Sequence, residues 1–485
     1  MAALTSLADD ALIALDALGS RAGDLFSPTL RLGVTGLSRA GKTVFISSLV
    51  HNLIHGGRLP LFEPLHSGRI ARAFLEHQPD DAVPRFQYED HVDALVGSRV
   101  WPESTRAISE LRLTIEYQSA SGWGRLFGRG HLSLDIVDYP GEWLLDLPLL
   151  DRTFAQFSRD SWELAQLPVR GELSAAWRTL AQAADPGGPA NEMTARSLAD
   201  AFAGYLRACK EDRRALSTLP PGRFLMPGDL EGSPALTFSP LPTEAQGRSG
   251  SLYAMMERRF EAYKTHVVKP FFREHVAKLD RQIVLIDALQ ALNAGPAAVS
   301  DLERALTEIL ACFRVGAGSL LGDLFARRID RILVAATKAD HLHHESHDRL
   351  QAIVRRLTRR ATERAGLAGA DVDVVAMAAV RATREGTAKQ GFETLPVIIG
   401  TPLIGETIGD QTFDGETETA VFPGDLPKNA DAVLDARPGD GNPVAVRFVR
   451  FRPPRLERSA DGALLSLPHI RLDRALQFLL GDRLA

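Results

Sequence analysis

Gly36-Leu37-Ser38-Arg39-Ala40-Gly41-Lys42-Thr43 decides how this chain is read. Two glycines with four residues between them, followed by Lys and Thr, make a phosphate-binding pattern. The glycines let the backbone wrap closely enough for its N–H groups to point at a phosphate. Lys42 brings a mobile positive charge to the outer phosphates, and the Thr43 hydroxyl suits Mg²⁺. Upstream, Leu30, Leu32 and Val34 alternate with Arg31 and Gly33, which predicts a short strand. Downstream, Phe45, Leu49 and Leu53 form one i,i+4 row and Ile46, Val50 and Ile54 the adjacent one. They predict a helix that starts at the loop and turns its N-terminus to the anion. Gly36, Ser38, Arg39, Ala40, Gly41, Lys42, Thr43 and Val44 are the expected phosphate contacts.

Further on, Leu111, Leu113, Ile115 and Tyr117 alternate with Arg112, Thr114 and Glu116, and Leu132, Leu134 and Ile136 with Ser133 and Asp135. The Gly- and Ser-rich stretch 119–130 is too short for a parallel crossover, so the two strands pair antiparallel. Such a hairpin separates translation-factor-type GTPases from kinase-type phosphate-loop proteins. The second strand ends at Asp138-Tyr139-Pro140-Gly141. There the Asp138 carboxylate is expected to hold a water on Mg²⁺, and the Gly141 N–H to turn to the γ-phosphate. In Ras-like enzymes a Gln follows that glycine and orients the attacking water; here the residue is Glu142. A carboxylate can orient water or take its proton, but it stands unfavourably near the γ-phosphate charge, so slow hydrolysis is expected. Thr105 is the expected switch residue on Mg²⁺ and γ-phosphate, with Ser104 the alternative and Arg106 a further phosphate contact.

Three later runs, Ile283–Ile286, Ile332–Ala336 and Val372 with Val374–Met377, are apolar and separated by helices at 300–313 and 348–362. They imply buried parallel strands. The middle run ends at Thr337-Lys338-Ala339-Asp340, which resembles the guanine-reading motif of GTPases with Thr where Asn is commoner. Asp340 would accept from N1–H and the 2-amino group of guanine, a pattern adenine lacks, and such a site discriminates by roughly 10⁴-fold or more. Lys338 would lie along the base, and the backbone at Ala379 and Val380 would meet its O6.

The fold class expected is α/β: a P-loop GTPase core, its mixed sheet carrying one antiparallel hairpin strand, with a helical insertion and a small β-rich module. The core occupies 1–148 and 281–389, the helical insertion 149–280 and the β-rich module 390–455, and 456–485 closes on the core. Short helices are expected at 71–77 and 88–96, one long helix at 251–278 bent at Pro270, and strands at 397–399, 420–422 and 446–451. Residues 4–18 read as a packed amphipathic helix and 468–485 as a closing one. His343 and His347 stand one helical turn apart but lack a third metal ligand, so they read as a solvated helix start. The hairpin tip 122–129 mixes Trp and Phe with Arg and reads as packed or partner-facing.

Over 485 residues, 45% hydrophobic and 24% charged content is ordinary for a globular protein, and a net charge of −5 argues against broad nucleic-acid binding. Cys209 and Cys312 offer neither metal spacing nor a disulfide framework, which suits a reducing compartment. No apolar run approaches a bilayer span, and the acidic first twenty residues are not a signal peptide. A cytoplasmic protein is expected.

Two resemblances add to this. The loop with Arg39 is similar to those of guanylate-binding proteins and atlastins, where an Arg at that offset is a built-in arginine finger; Arg39 would then act on the transition state, on self-association or with a partner. The phosphate loop, Trp101-Pro102-Glu103-Ser104-Thr105, Ile108–Leu113, Asp138–Trp143, Thr337–Asp340 and Pro468–Asp473 together resemble the bacterial YcjX stress-protein family over nearly the whole chain. The resemblance implies binding of GTP and GDP, a helical insertion, a β-rich appendage, and a role in envelope stress beside a membrane-associated partner at the inner membrane. Read together, the residues describe a Mg²⁺-dependent GTPase switch, with Arg39, Lys42, Thr105 and Glu142 the catalytic candidates and Thr43, Asp138 and Thr105 the metal ligands. A nucleotide-loaded scaffold without turnover and a P-loop phosphotransferase are the alternatives.

Overall fold

β1 (Thr29–Gly36) lies at the middle of a seven-stranded sheet. The computed structural model describes residues 28–485 apart from Ser38, Pro79, 104–106, 121–129, 213–215, 243–247, 314–328, Ala368, 391–392, 437–443, Ala445, Arg447 and 457–465. The helix expected at 4–18, the hairpin tip 122–129, Ser38 and the switch candidates Ser104, Thr105 and Arg106 lie outside the described residues.

After β1 come α1 (Lys42–Ile54), β2 (Ile70–Glu76), β3 (Ser109–Tyr117) and β4 (Gly130–Asp138). A 3₁₀ segment, Gly141–Asp151, leads into α2 (Phe154–Ala165), α3 (Ala175–Ala183), α4 (Glu192–Glu211) and α5 (Leu252–Tyr263). The sheet resumes with β5 (Arg281–Ile286), β6 (Arg331–Ala336) and β7 (Asp371–Ala376), interleaved with α6 (Pro296–Cys312) and α7 (His347–Leu367). β8 (Arg384–Gln390), β9 (Glu393–Gly400), β10 (Thr407–Ile408), β11 (Gln411–Thr412) and β12 (Thr419–Val421) follow, and α8 (Leu472–Leu480) comes last.

The strand order is β2-β3-β4-β1-β5-β6-β7. The strands from β4 to β7 run parallel, and β3 pairs antiparallel with β4 as the short connection requires. Because β5 is buried along its whole length, its side chains divide between two cores by period two. Ile283 and Leu285 join Leu30, Leu32 and Val34 under α1 and α8, while Val284 and Ile286 face the helices on the other side.

Two expectations fail. Residues 71–77 are strand, not helix: β2 pairs antiparallel with β3, so the sheet carries an edge strand beyond the hairpin. Ala, Leu, Phe and Glu are good or acceptable helix formers, but the exposed edge of β3 offers a ladder, and tertiary pairing overrides propensity. Period-two placement sets the Arg72 guanidinium 4.7 Å from the Phe74 ring. The strand expected at 446–451 does not form among the described residues: Leu403 N–H donates to Arg450 O and Arg452 N–H to Thr401 O, each at 2.8 Å, with one bridge between Pro402 and Phe451. Pro402, Pro453 and Pro454 have no N–H to extend that ladder.

The helical run from Leu252 continues through Pro270 by widening to π turns at Lys264–Val268 and Phe272–Val276. A π turn relieves the missing donor and ring clash of proline without ending the helix. α2, α4 and α5 bury Phe157, Phe202 and Phe260 together, the rings of Phe157 and Phe260 stacked at 4.9 Å. Arg170, 1% exposed, is neutralised by Asp301 of α6 at 2.5 Å. Among the described residues no helix is long and apolar enough to cross a membrane.

Phe157 is 1% exposed and its ring packs on those of Phe154, Phe202, Phe238 and Phe260, so truncation leaves a cavity. Phe157→Ala is expected to cost about 3–5 kcal/mol in urea unfolding, and a loss below about 1 kcal/mol would contradict this packing.

Candidate functional site

The parallel strands end along one edge of the sheet, where ligands of open α/β sheets bind. Gly36 closes β1 beside Leu285, whose carbonyl would lie 2.7 Å from a Cβ at that position, so only glycine fits. Gly41 has φ 85°, a left-handed conformation that glycine adopts without steric cost, and α1 begins at the next residue. The first N–H groups of that helix have no partner within it and face the loop. Lys42 is buried and donates to Gly36 O at 3.4 Å. Arg39 is exposed at φ 64°, a conformation disfavoured for a branched-off-backbone side chain and one that concentrates at functional sites.

A cavity of ≈ 370 Å³ opens beside this loop. Arg39, Ala40, Gly41, Lys42, Thr43 and Val44 line it together with Thr337, Lys338, Asp340, Ala379 and Val380. Asp340 is 3% exposed, and its carboxylate accepts from Ala382 N–H at 2.9 Å. Burial pushes this carboxyl up to about 6, against the pull of that hydrogen bond and of Lys338 and Arg381. Lys338 is paired with Asp287 at the end of β5, and Thr337 donates its hydroxyl to Ile286 O at 3.2 Å. Ser48 of α1 donates to Ala379 O at 2.6 Å, fastening the helix of the phosphate loop to the segment after β7.

Residues that the sequence reading did not select complete the walls. Trp101, Glu103, His341, Met377, Leu403, Arg450 and Phe451 all line the same cavity. Trp101 Nε1–H donates to Phe451 O at 2.6 Å, and the Thr43 hydroxyl donates to Glu103 O at 3.3 Å. His341 packs on Phe448 and Phe451, with ring centroids 5.1 and 5.5 Å away. Residues 448–451 thus touch both the loop at Asp340 and the segment before the switch candidates. The aromatic residues in Trp101-Pro102 and Phe448–Phe451 were the available signal.

Asp138 is buried at the end of β4, in register with Val34, and does not line the cavity. Gly141 lies directly on the phosphate loop: a Cβ there would sit 1.8 Å from Gly36 O. On its far side Gly222 lies as close to Glu142 O, again 1.8 Å for a Cβ. The 3₁₀ segment is gripped by the helical region at three places. Glu142 accepts from Lys210 Nζ at 2.7 Å, Trp143 donates to Met226 O at 3.0 Å under the Arg223 guanidinium, and Asp146 accepts from Gly222 N–H and Tyr263 O–H, each at 2.7 Å. Glu142 lies outside the large cavity. With Arg39, Lys210 and Asp287 it lines a smaller one of ≈ 40 Å³.

The pair His343 and His347 does not form a metal set. His347 opens α7 buried, not solvated, with its Nε2 on Leu342 O at 3.3 Å, while His343 turns towards Glu385. Among the described residues, His343, His344 and Glu345 are the close group of metal-type ligands, and two of the three are exposed.

A family model described as the YcjX-like family, DUF463, matches residues 30–484. A protein of Escherichia coli (strain K12) named Ras-like GTPase YcjX is 38% identical over 470 residues, covering 94% of this chain and 96% of that one. Its namesake from Shewanella oneidensis is 35% identical over 476 residues, 94% of each.

Burial pushes Asp146 up to about 7, above an unfolded aspartate near 3.9, in spite of its hydrogen bonds from Tyr263 and Gly222. The fold therefore favours the protonated form, and this group's contribution, full below about pH 4, is lost as pH rises to about 7. Urea unfolding across that range is expected to show wild type losing stability relative to Asp146→Asn as pH rises. A pH-independent difference would contradict the assignment.

Proposed function

The chain belongs to the YcjX-like family, and we propose that it is a GTP- and GDP-binding protein that hydrolyses GTP slowly and acts as a Mg²⁺-dependent molecular switch. The observation that carries this is a single cavity lined by Lys42 and Thr43 together with Asp340. Gly41, Lys42 and the first N–H groups of α1 would cradle the phosphates, and Asp340 would accept from the guanine N1–H and 2-amino groups. The names of the two relatives, and the antiparallel pairing of β3 with β4, support this reading over a phosphotransferase.

Thr43, on the cavity wall, and Asp138, buried at the end of β4, are hard oxygen donors of the kind Mg²⁺ takes, with Thr105 as the further donor. Bound there, the ion would neutralise charge on the β- and γ-phosphates. Lys42 would hold the outer phosphates, and Gly141, already seated on Gly36, would offer its N–H to the γ-phosphate. Arg39, exposed and lining both cavities, would swing onto transition-state charge, in this chain alone or on self-association. Glu142 takes the place of the Ras-like Gln, and the charge of its carboxylate near the γ-phosphate is in keeping with slow turnover. A nucleotide-loaded scaffold is the second reading, favoured by the missing Gln. The division into a two-part core, a helical insertion at 149–280 and a β-rich module at 390–455 belongs to this proposal. So does a cytoplasmic location; the tie to envelope stress and to a membrane-associated partner rests on family resemblance alone.

Calorimetry with Mg²⁺ is expected to show GTP and GDP binding far tighter than ATP, and equal binding of ATP would overturn the reading. Because Asp340 must be ionised to accept both bonds, guanine-nucleotide affinity is expected to weaken as pH falls through about 6. Asp340→Asn is expected to lose guanine affinity by about 100-fold or more and to gain xanthine nucleotides, whose 2-carbonyl accepts from the new amide. Arg39→Ala is expected to lower kcat by about 10³-fold with binding intact if it serves as the finger; unchanged turnover would remove it from catalysis.

A further inference from the structure

Lys210 lies at the end of α4, in the helical region, yet its ammonium reaches the segment that follows β4. It donates to Glu142 Oε1 at 2.7 Å, and the glutamate is 6% exposed. Burial works against ionisation of Glu142, but Lys210 and, through space, Lys42 outweigh it and hold the carboxyl below its ordinary range. The carboxylate thus stands between the ammonium of the phosphate loop and one delivered by a helix from the other core. Arg39 and Asp287 face it across the smaller cavity, and Asp287 is itself paired with Lys338.

Resting on the GTPase reading, we propose that Lys210 is a positioning residue for GTP hydrolysis: it neutralises Glu142, so that this carboxylate can remain beside the γ-phosphate and orient the attacking water. In that step the water oxygen bonds to the γ-phosphorus as the bridging β–γ P–O bond breaks. The electron pair of that bond stays on GDP, and the water protons leave with inorganic phosphate and solvent. A γ-phosphate at Lys42 would compete with Glu142 for that ammonium, and an unpaired carboxylate would be driven from its place by repulsion and burial. Lys210 removes the conflict. It is not needed to dock the segment, since Trp143 on Met226 and Arg223, and Asp146 on Gly222 and Tyr263, already fasten it to the helical region. The neutral Gln of Ras-like enzymes would correspond here to a Glu made effectively neutral by a partner from another part of the fold.

The test is a double-mutant cycle on the full chain, read by single-turnover GTP hydrolysis and by fluorescent-nucleotide binding. Lys210→Ala is expected to lower the hydrolysis rate by about 10- to 100-fold while GTP affinity stays within about threefold. Lys210→Arg is expected to retain most of the rate. In a Glu142→Gln background, whatever its own rate, adding Lys210→Ala is expected to change hydrolysis by less than about twofold, because no charge is left to neutralise. An equal loss in both backgrounds, or no loss in either, overturns the proposal while leaving the GTPase reading standing. Wild type that binds GTP with Mg²⁺ but never turns it over overturns both.

Discussion

Three stretches of backbone lie against one another with no side chain between them, and the geometry of the site depends on that contact. Gly141 sits on the carbonyl of Gly36, and Gly222 sits on the carbonyl of Glu142, each so close that a single methyl group would collide. The phosphate loop, the segment after β4 and the helical region are therefore stacked in that order, and displacement of the middle layer presses on one of the other two. Interiors packed this tightly respond by changing arrangement, not by deforming smoothly. In most globular folds a loop beside a ligand faces solvent; here the 3₁₀ segment is almost wholly buried, from Gly141 to Leu150 save for Pro148.

Charge follows the same layering. Lys42, Glu142 and Lys210 alternate in sign from the loop outward, while Lys338 and Asp287 do so at the ends of the neighbouring strands. Each acid has a base at hand, which is what burial demands of ionised groups. Asp146 differs. It has three hydrogen-bond donors but burial dominates, and it joins Tyr263 of the composite helix to the segment that rests on the phosphate loop.

The sheet was legible in the sequence because its strands are short, apolar and bounded by loops whose residues carry chemistry. The glycine loop was legible through its spacing, the hairpin through period-two alternation, and Asp340 through its motif at the end of an apolar run. β2 was not legible, since Ala71-Arg72-Ala73-Phe74-Leu75-Glu76 satisfies a helix as well as an edge strand, and only β3 arbitrates. Prolines on both partners undid the strand read at 446–451. The cavity's far wall was hidden for another reason: Trp101 and Phe451 meet across 350 positions, and no local pattern encodes such a meeting. Likewise Glu142 stood out as a departure from Gln, but its partner Lys210 is one lysine among the charged residues of a long amphipathic helix.

The core face of β1 is roofed by α8, and Arg281 beneath it has no exposure, held by Asp330 and Asp482. During synthesis the glycine loop emerges early, whereas its roof and the wall at Phe451 emerge hundreds of residues later. Until then Leu30, Leu32, Val34 and the apolar rows of α1 have nothing from α8 to bury against. A ribosome-bound intermediate would therefore show a greasy surface to chaperones until α8 is made, and ligand competence would arrive abruptly with the wall at Phe451.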